Sequence, residues 1–186
     1  MFVSDGFRET TVRDIAREAG VNLALINYHF GSKEDLYKDL LRARIMPMFE
    51  VLDRIADDPA APPPQKVELL IETYVNFVYS NPDVPRILLR EMTLRSPIAV
   101  WFAQEIVSKI AMRVFAVIGE AQREGHLRQD VDVSVLIPSF IGSIVFGVVA
   151  TPLIEIIRTG MGLPPLDVDQ RKREVKDVIL NGVKRR

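Results

Sequence analysis

A short run, residues 23–29, carries side chains that seldom share the solvent-facing side of a helix: Leu, Ala, Leu, Asn, Tyr and His. Surface helices usually carry Glu, Lys and Gln, so this composition suits a contact surface better than solvent. Apolar groups contact a thymine methyl, Asn pairs with adenine, and Tyr and His donate to phosphates. The run therefore predicts a DNA-contacting helix, with Ile26 turned inward and Leu25 equally suited to the core or the contact face.

The flanking residues predict two short helices joined by a tight turn, followed by a third helix. Thr11 and Ser32 each precede an Asp by three residues, a pattern that caps helix N-termini. Gly20 ends the first of these helices, because glycine takes a left-handed backbone without strain. Asn22 is a suitable N-cap for the second. The elements together have the layout of a helix-turn-helix.

The 28 residues from 10 to 37 contain TVRDIAREAGV, NYHF and SKEDLY in that order. This stretch resembles the DNA-binding head of TetR/AcrR-type transcriptional regulators. The alternative is an ordinary helical hairpin with amphipathic faces. The resemblance implies an all-α protein, in which a three-helix head precedes a larger helical domain for effector binding and dimerisation.

Motif positions divide the predicted DNA contacts into two kinds. Thr11 and Tyr28 are predicted to hold phosphates, with Lys33 adding charge, and such contacts fix register. The resemblance implies a base contact for Arg13. Residues 22–24 stand where many family members have Ser-Lys-Gly, and Asn27 where many have Tyr, so we expect fewer phosphate contacts and more apolar readout. The predicted DNA-binding set is Thr11, Arg13, Asn22, Leu23, Ala24, Asn27, Tyr28, His29 and Lys33.

Charge alone does not indicate a nucleic-acid binder. The chain of 186 residues has a net charge of −1, and residues 1–58 hold eight Lys/Arg against eleven Asp/Glu. A DNA interface must therefore depend on local placement. Family members also have about three more helical turns before Gly6, so the first helix is expected to be truncated.

The rest of the chain reads as helices separated by proline and glycine signals. Residues 33–57 predict one long helix that Pro47 bends, and a proline-rich connector follows at 58–64. Asn81 and Ser96, each followed by Pro, are predicted N-caps. The predicted body helices span residues 65–80, 83–95, 97–124, 132–155 and 169–184.

The segment 133–154 carries 22 residues without a charge. It is long enough for a membrane span, but its prolines, its Ser and Thr residues and its acidic flanks favour a helix buried on several sides. The last helix is amphipathic, with Val175, Val178, Ile179 and Val183 on one side. These two helices fit a subunit interface and resemble the family's four-helix dimer bundle.

For catalysis or metal binding the sequence offers little. It has no cysteine, and only His29 and His126 could act as bases near neutral pH. No catalytic motif, metal site or cofactor is predicted, so we expect no enzyme. An effector cavity, implied by the resemblance, would take a small hydrophobic or aromatic molecule. Its predicted residues are Tyr74, Phe77, Met92, Trp101, Phe102, Phe115 and Phe140.

The sequence thus predicts a cytoplasmic homodimer with a DNA-binding head at 1–45 and an effector-binding and dimerisation domain at 46–186. We expect a ligand-responsive repressor of a palindromic operator. A membrane-tethered regulator and a helical small-molecule-binding protein with a vestigial head are the alternatives. Both would conflict with a detergent-free dimer that binds DNA in a salt-sensitive way.

Overall fold

The computed structural model describes residue 2 and residues 6–183 of the chain. These residues form α-helices and no strand, which confirms the all-α fold class. The expected end of a longer first helix at residues 1–5 lies, except for Phe2, outside the described residues. The helices are α1 (Gly6–Glu9), α2 (Val12–Ala19), α3 (Leu23–Phe30), α4 (Lys33–Asp57), α5 (Pro63–Ser80), α6 (Asp83–Thr93), α7 (Pro97–Trp101), α8 (Ser108–Arg123), α9 (Val133–Val149), α10 (Thr151–Gly160) and α11 (Val168–Val183), with a π-helical segment (Phe102–Val107) between α7 and α8.

The head is built from α1 to α3 and the first turns of α4. The Thr11 hydroxyl accepts the backbone N–H of Asp14 at 3.1 Å, so the predicted cap of α2 is confirmed. Gly20 takes a left-handed conformation with φ 65°, and its N–H donates to the last turn of α2. This ends α2 and turns the chain into α3.

The long helix α4 runs from the head into the body. The Ser32 hydroxyl accepts the N–H of Asp35 at 3.0 Å, which confirms the second predicted cap. The 25 residues of α4 span about 37 Å, and the helix continues through Pro47. One face is buried over its whole length, by Tyr37, Leu41, Ile45, Met48, Phe49 and Leu52.

The body surrounds α5, which packs against α4, α8, α9 and α11. A large apolar cluster joins α4 to α5, α6 and α8, and a smaller one joins α5 to α9 and α11. The smaller cluster has Val75, Val78, Ile144, Val148 and Ile179 as its buried members. These two clusters fix α5 as the centre of the body.

Two details of the body helices differ from the sequence prediction. Asn81 does not cap α6: its side-chain amide donates to the Phe77 carbonyl at 3.0 Å and thereby closes α5. The predicted helix 97–124 contains the π-helical segment, which separates α7 from α8. Ser96 caps α7 as predicted, since its hydroxyl accepts the N–H of Ala99 at 3.3 Å.

The uncharged segment forms two helices instead of one buried helix. Between α9 and α10 the chain bends by 57°, because Pro152 begins a new helix and cannot donate a backbone hydrogen bond to the preceding turn. Of α9, only Ile144 and Val148 are buried, so the expectation of a helix buried on several sides is wrong for a single protomer. In the described part of the chain, no single helix is long and apolar enough to cross a membrane, and α9 and α10 meet that requirement only as a bent pair.

Candidate nucleic-acid interface

The orientation of α3 is set by its two ends and one buried residue. Asn22 accepts the N–H of Ala24 at 2.8 Å through its side-chain oxygen, so it caps the helix N-terminus. Gly31 closes the C-terminus by donating its N–H to the Asn27 carbonyl. Between them Ile26, only 7% exposed, packs into the head. The remaining side chains of α3 are therefore presented in a fixed direction.

The outer face of α3 has the predicted contact composition. Tyr28 is 83% exposed and Leu25 is 52% exposed, so Leu25 belongs to the outer face and not to the core. Ala24, Asn27 and His29 are also exposed, whereas Leu23 is half-buried. The apolar groups and the Asn27 amide can read base edges, and the tyrosine hydroxyl can donate to a phosphate.

Thr11 and Arg13 lie at the start of α2. Both are exposed, and the Thr11 hydroxyl also donates to the Asp14 carboxylate at 2.5 Å. No residue in the described part of the chain holds the Arg13 guanidinium, which leaves it available to a base or phosphate. Arg17 differs, since it is paired with Asp14 at 2.7 Å. The structure therefore brings Arg13, Thr11 and the outer face of α3 onto one small head.

Lys33 does not have the position expected of a phosphate ligand. Its ammonium group donates to the carbonyls of Phe7 at 2.8 Å, Thr10 at 3.1 Å and Arg8 at 3.4 Å. It also lies 4.4 Å from the centroid of the Phe7 ring. All three ammonium protons thus have partners at the end of α1. The prediction that Lys33 adds free charge at the DNA surface is corrected to an internal role.

Three of the six acidic residues described between residues 6 and 45 are paired with a basic residue, which reduces their repulsion of DNA. The hydrogen bond from Thr11, together with the charge of Arg17, lowers the pKa of Asp14 below its ordinary value. Glu34 pairs with Lys38 at 2.7 Å and Asp39 with Arg42 at 2.8 Å on α4. Local placement, not net charge, therefore decides the potential beside α3.

The predicted effector residues do not form one cavity. Tyr74, Phe77 and Phe140 pack against both apolar clusters, and Trp101 and Phe102 pack against the larger one. Met92 is 59% exposed and Phe115 37% exposed, so their prediction as cavity-lining residues is wrong for this conformation. A groove of about 680 Å³ lies elsewhere, between α10, α11 and the connecting loop, and includes none of the seven.

Sequence reasoning did not find the buried contacts between head and body. Tyr37 of α4 is fully buried and donates its hydroxyl to the Glu91 carboxylate of α6 at 3.2 Å. Trp101 of α7 lies 5.0 Å from the Arg42 guanidinium and 5.8 Å from the Lys38 ammonium of α4. Tyr37 ends the SKEDLY motif, but nothing in the motif indicates its partner.

The described residues include no group of three or more His, Cys, Asp or Glu side chains that could hold a metal ion.

Comparison with known proteins identifies the class of this head. Residues 1–40 match the family "Bacterial regulatory proteins, tetR family". The HTH-type transcriptional repressor KstR2 of Mycobacterium tuberculosis is 27% identical over 136 residues, 73% of this chain and 68% of KstR2. A Bacillus subtilis protein named "Probable HTH-type transcriptional regulator YttP" is 30% identical over 131 residues, 67% of this chain and 61% of YttP.

Solved structures share the whole fold. The ketosteroid transcriptional regulator KstR2 of M. tuberculosis superimposes with a TM-score of 0.72 and 25% identity, over 100% of this chain and 90% of that chain. The TetR family regulator PfmR of Thermus thermophilus gives a TM-score of 0.72 at 18% identity, over 99% and 94% of the two chains. These relatives are named as transcriptional regulators, which points to a protein without enzymatic activity.

The capped helix-turn-helix matches the tetR family over residues 1–40, and the all-helical body has the fold of these regulators. Together these matches support a TetR-family transcriptional regulator.

Proposed function

We propose that the protein is a homodimeric repressor that binds a palindromic operator and is released by a small hydrophobic effector. Residues 1–45 act as the DNA-binding domain, and residues 46–186 bind the effector and form the dimer. The observation that carries the proposal is the outer face of α3, where Leu25, Asn27 and Tyr28 are exposed on a helix with no solvating Glu or Lys. Such a face is costly in water and fits a DNA groove.

The predicted DNA-contact residues have separate roles in this proposal. Arg13, Ala24 and Asn27 contact base edges, together with the exposed part of Leu23. Tyr28 and His29 hold phosphates, and Asn22 aligns the N-terminus of α3. The predicted phosphate contact of Thr11 is corrected to a capping role, because its only hydroxyl proton is donated to the Asp14 carboxylate. Lys33 is left out of the DNA contacts, because its three protons are donated to α1.

To test the DNA proposal, the full-length protein is used to select duplexes from a random library. The affinity of the protein for the selected duplex is then measured. Arg13→Ala is expected to weaken binding by about 5- to 150-fold, the cost of one lost base contact. Because Arg13 is exposed and unpaired within the described residues, the melting temperature should stay nearly unchanged. Arg86→Ala, which removes an exposed arginine of α6, is the control and should bind as the parent does. Equal binding by Arg13→Ala and the parent would contradict the proposal.

The dimer proposal is supported by an exposed apolar face on the last three helices. On α10 three side chains repeat at helical spacing and are exposed by 60%, 69% and 53%: Leu153, Ile156 and Ile157. Phe146 of α9 and Val178 of α11 are exposed by 70% and 71%. Val178 also lines the groove between α10 and α11. Large apolar side chains exposed on three successive helices indicate an interface, and a second copy of the chain is the occupant we propose.

Sedimentation velocity in detergent-free buffer tests the dimer. The parent is expected to sediment as a dimer, and Ile156→Asp as a monomer, because the new charge would be buried unpaired. Met112→Asp, which changes a 77% exposed side chain of α8, is the control and should remain dimeric. A monomeric parent would contradict the proposal, and a parent that requires detergent for extraction would favour the membrane-tethered alternative.

An effector site is proposed where Tyr74, Phe77 and Phe140 touch both apolar clusters. Burial raises the pKa of Tyr74 well above its ordinary value. No described residue forms a hydrogen bond with its hydroxyl, so that group is available to a polar atom of an otherwise apolar molecule. The name of the relative KstR2 refers to ketosteroids, which belong to this chemical class.

Trp101, the chain's single tryptophan, allows a direct effector titration. A ketosteroid and a long-chain fatty acid serve as probes, and glucose as the polar control. Binding is expected to change Trp101 fluorescence and to release the selected duplex, while Tyr74→Phe weakens binding of the ketosteroid, whose oxygen needs the hydroxyl. Saturable fluorescence changes without duplex release would contradict the proposed coupling, and an unchanged ketosteroid affinity in Tyr74→Phe would contradict the site.

A further inference from the structure

Helix α1 is held by side chains from two different parts of the protein. Arg90 of α6 lies against Gly6, the first residue of α1, and also donates a short hydrogen bond to the carbonyl of Phe2, which precedes α1. At the C-terminal side of α1, Lys33 of α4 donates to the carbonyls of Phe7 and Thr10. Arg90 of the body therefore contacts the start of this four-residue helix, and Lys33, the first residue of α4, holds its end.

The contact between Arg90 and α1 leaves little freedom of movement. Gly6 has φ 93°, and a Cβ atom at this position would lie 3.0 Å from a guanidinium nitrogen of Arg90. The Nε atom of Arg90 is buried and has no hydrogen-bond partner in the described part of the chain. A buried donor without a partner costs stability, so Arg90 is held in this position by its other contacts.

The neighbouring residue makes a second buried connection along the same line. Glu91 is only 2% exposed, and its carboxylate accepts the hydroxyl of Tyr37. The Tyr37 ring in turn contacts the rings of Phe2 and Phe7, with centroid distances of 4.6 Å and 5.1 Å. Helices α6, α1 and α4 thus meet at one buried junction of aromatic and charged groups. A close-packed junction of this kind transmits a displacement instead of absorbing it.

Lys33 connects this junction to α3. It is the first residue of α4, and only Gly31 and Ser32 separate it from the end of α3. Gly31 closes α3 with its N–H and has φ 73°, so the link between the two helices is short and conformationally defined. The Lys33 side chain thus joins the end of α1 to a residue that lies three positions after the end of α3.

We infer that Arg90 is a positioning residue for DNA binding, which sets the orientation of α3 through α1 and Lys33. The inference rests on the proposed operator binding, because it names the route by which the body controls the DNA-reading face. A change in α6 reaches α3 through Arg90, the short helix α1 and the three carbonyl contacts of Lys33. A merely structural role would lower stability without changing how α3 is held.

The first test needs no DNA and uses hydrogen exchange of the full-length protein. Arg90→Met is expected to increase exchange in both α1 and α3, while the middle of α5 keeps its protection. Arg44→Met is the matched control, since Arg44 also joins α4 to α6, but through a surface ion pair with Asp83 at 3.1 Å. It should leave α3 protected. Unchanged protection of α3 in Arg90→Met, with α1 loosened, would overturn the inference.

The second test measures affinity for the selected duplex in a double-mutant cycle. Arg90→Met and Lys33→Met are each expected to weaken binding by about two- to thirtyfold. Because both substitutions break one route, the double variant should lose no more than the weaker-binding single variant. Each should also tolerate half-site spacings that the parent rejects. Fully additive losses with unchanged spacing preference would overturn the inference.

A second variant and the DNA-free experiment distinguish a failure of this inference from a failure of folding or of operator binding. If Arg90→Met does not fold, Arg90→Lys retains the charge and one donor, and an intermediate exchange rate in α3 is expected. If the parent selects no duplex, the proposed operator binding has failed, while the exchange experiment still decides whether Arg90 controls α3. Protection of α3 in Arg90→Lys equal to that of the parent, with α1 loosened, would count against the route.

Discussion

The ammonium nitrogen of Lys33 lies 2.8 Å from the Phe7 carbonyl oxygen and 4.4 Å from the centroid of the Phe7 ring. A side chain that sequence reasoning assigned to the DNA surface therefore closes the head internally. Its cation compensates the free carbonyl groups at the end of α1. The contact links α1 to the first residue of α4.

Lys33→Met is accordingly expected to destabilise the protein. The substitution retains much of the apolar stem but leaves the Phe7 and Thr10 carbonyls without their donor, at a cost of about 1–3 kcal/mol. Urea denaturation gives the free energy of unfolding. Lys109→Met, which removes a 73% exposed side chain with one surface ion pair, is the control. Equal losses for the two variants would show that Lys33 has no special role.

Tyr37 is expected to make stability depend on pH in the alkaline range. Burial and the nearby Glu91 carboxylate raise the pKa of Tyr37 from 10.0 to about 12. Since the folded pKa exceeds the unfolded one, the stabilisation is complete below pH 10 and is lost as the pH rises towards 12. A shift of this size corresponds to about 2–3 kcal/mol.

Tyr37→Phe should abolish this alkaline loss. At neutral pH the variant is expected to be less stable by about 1–3 kcal/mol, because Glu91 loses its hydrogen-bond donor. Between pH 10 and 12 the free energies of unfolding of the parent and Tyr37→Phe should converge, because only the parent loses stability. Tyr28→Phe removes an exposed hydroxyl and serves as the control. A constant difference between parent and Tyr37→Phe over this range would contradict the assignment.

Two glycines should respond with opposite signs to substitution by alanine. A Cβ atom at Gly20 or Gly119 would have no atom within 4 Å, so sterics alone predicts no difference between them. Gly20 has φ 65°, which alanine adopts only with strain, so Gly20→Ala is expected to cost about 1 kcal/mol. Gly119 lies inside α8, where alanine is favoured by about 0.5–1 kcal/mol. Thermal unfolding of both variants would reveal the two signs, and a shared sign would contradict this account.

Two substitutions of Asn22 should distinguish its role in helix capping from its position beside the DNA. Asp is as good an N-cap as Asn, so Asn22→Asp is expected to leave the melting temperature nearly unchanged. The added negative charge beside the phosphates should weaken binding to the selected duplex. Asn22→Ser, which also caps, is the neutral control. If Asn22→Asp bound the duplex as tightly as Asn22→Ser, the N-terminus of α3 would not lie near the DNA backbone.

Local signals predicted the head well, because its geometry depends on nearest neighbours. Thr11, Ser32 and Asn22 cap the helices that they were predicted to cap, and each bond spans two or three residues. The buried position of Ile26 follows from helical periodicity alone.

Long-range contacts were not predictable in the same way. Lys33 bonds to residues 23 to 26 positions earlier, and Tyr37 to a residue 54 positions later, so neither partner leaves a trace in the local pattern. The uncharged segment was expected to be buried from its composition. Composition does not distinguish a helix covered by its own chain from one with Phe146 70% exposed. Whether a second copy of the chain covers the exposed side of α9 depends on the oligomer and not on the composition of the segment.

Hydroxyl-radical footprinting of the selected duplex tests the central claim most directly. A dimer that places both copies of α3 in successive major grooves should protect two patches centred about 34–36 Å apart, on one face of the DNA. The patches should be related by the two-fold symmetry of the sequence and should fade in Arg13→Ala. A single patch, or protection that does not depend on sequence, would contradict the account.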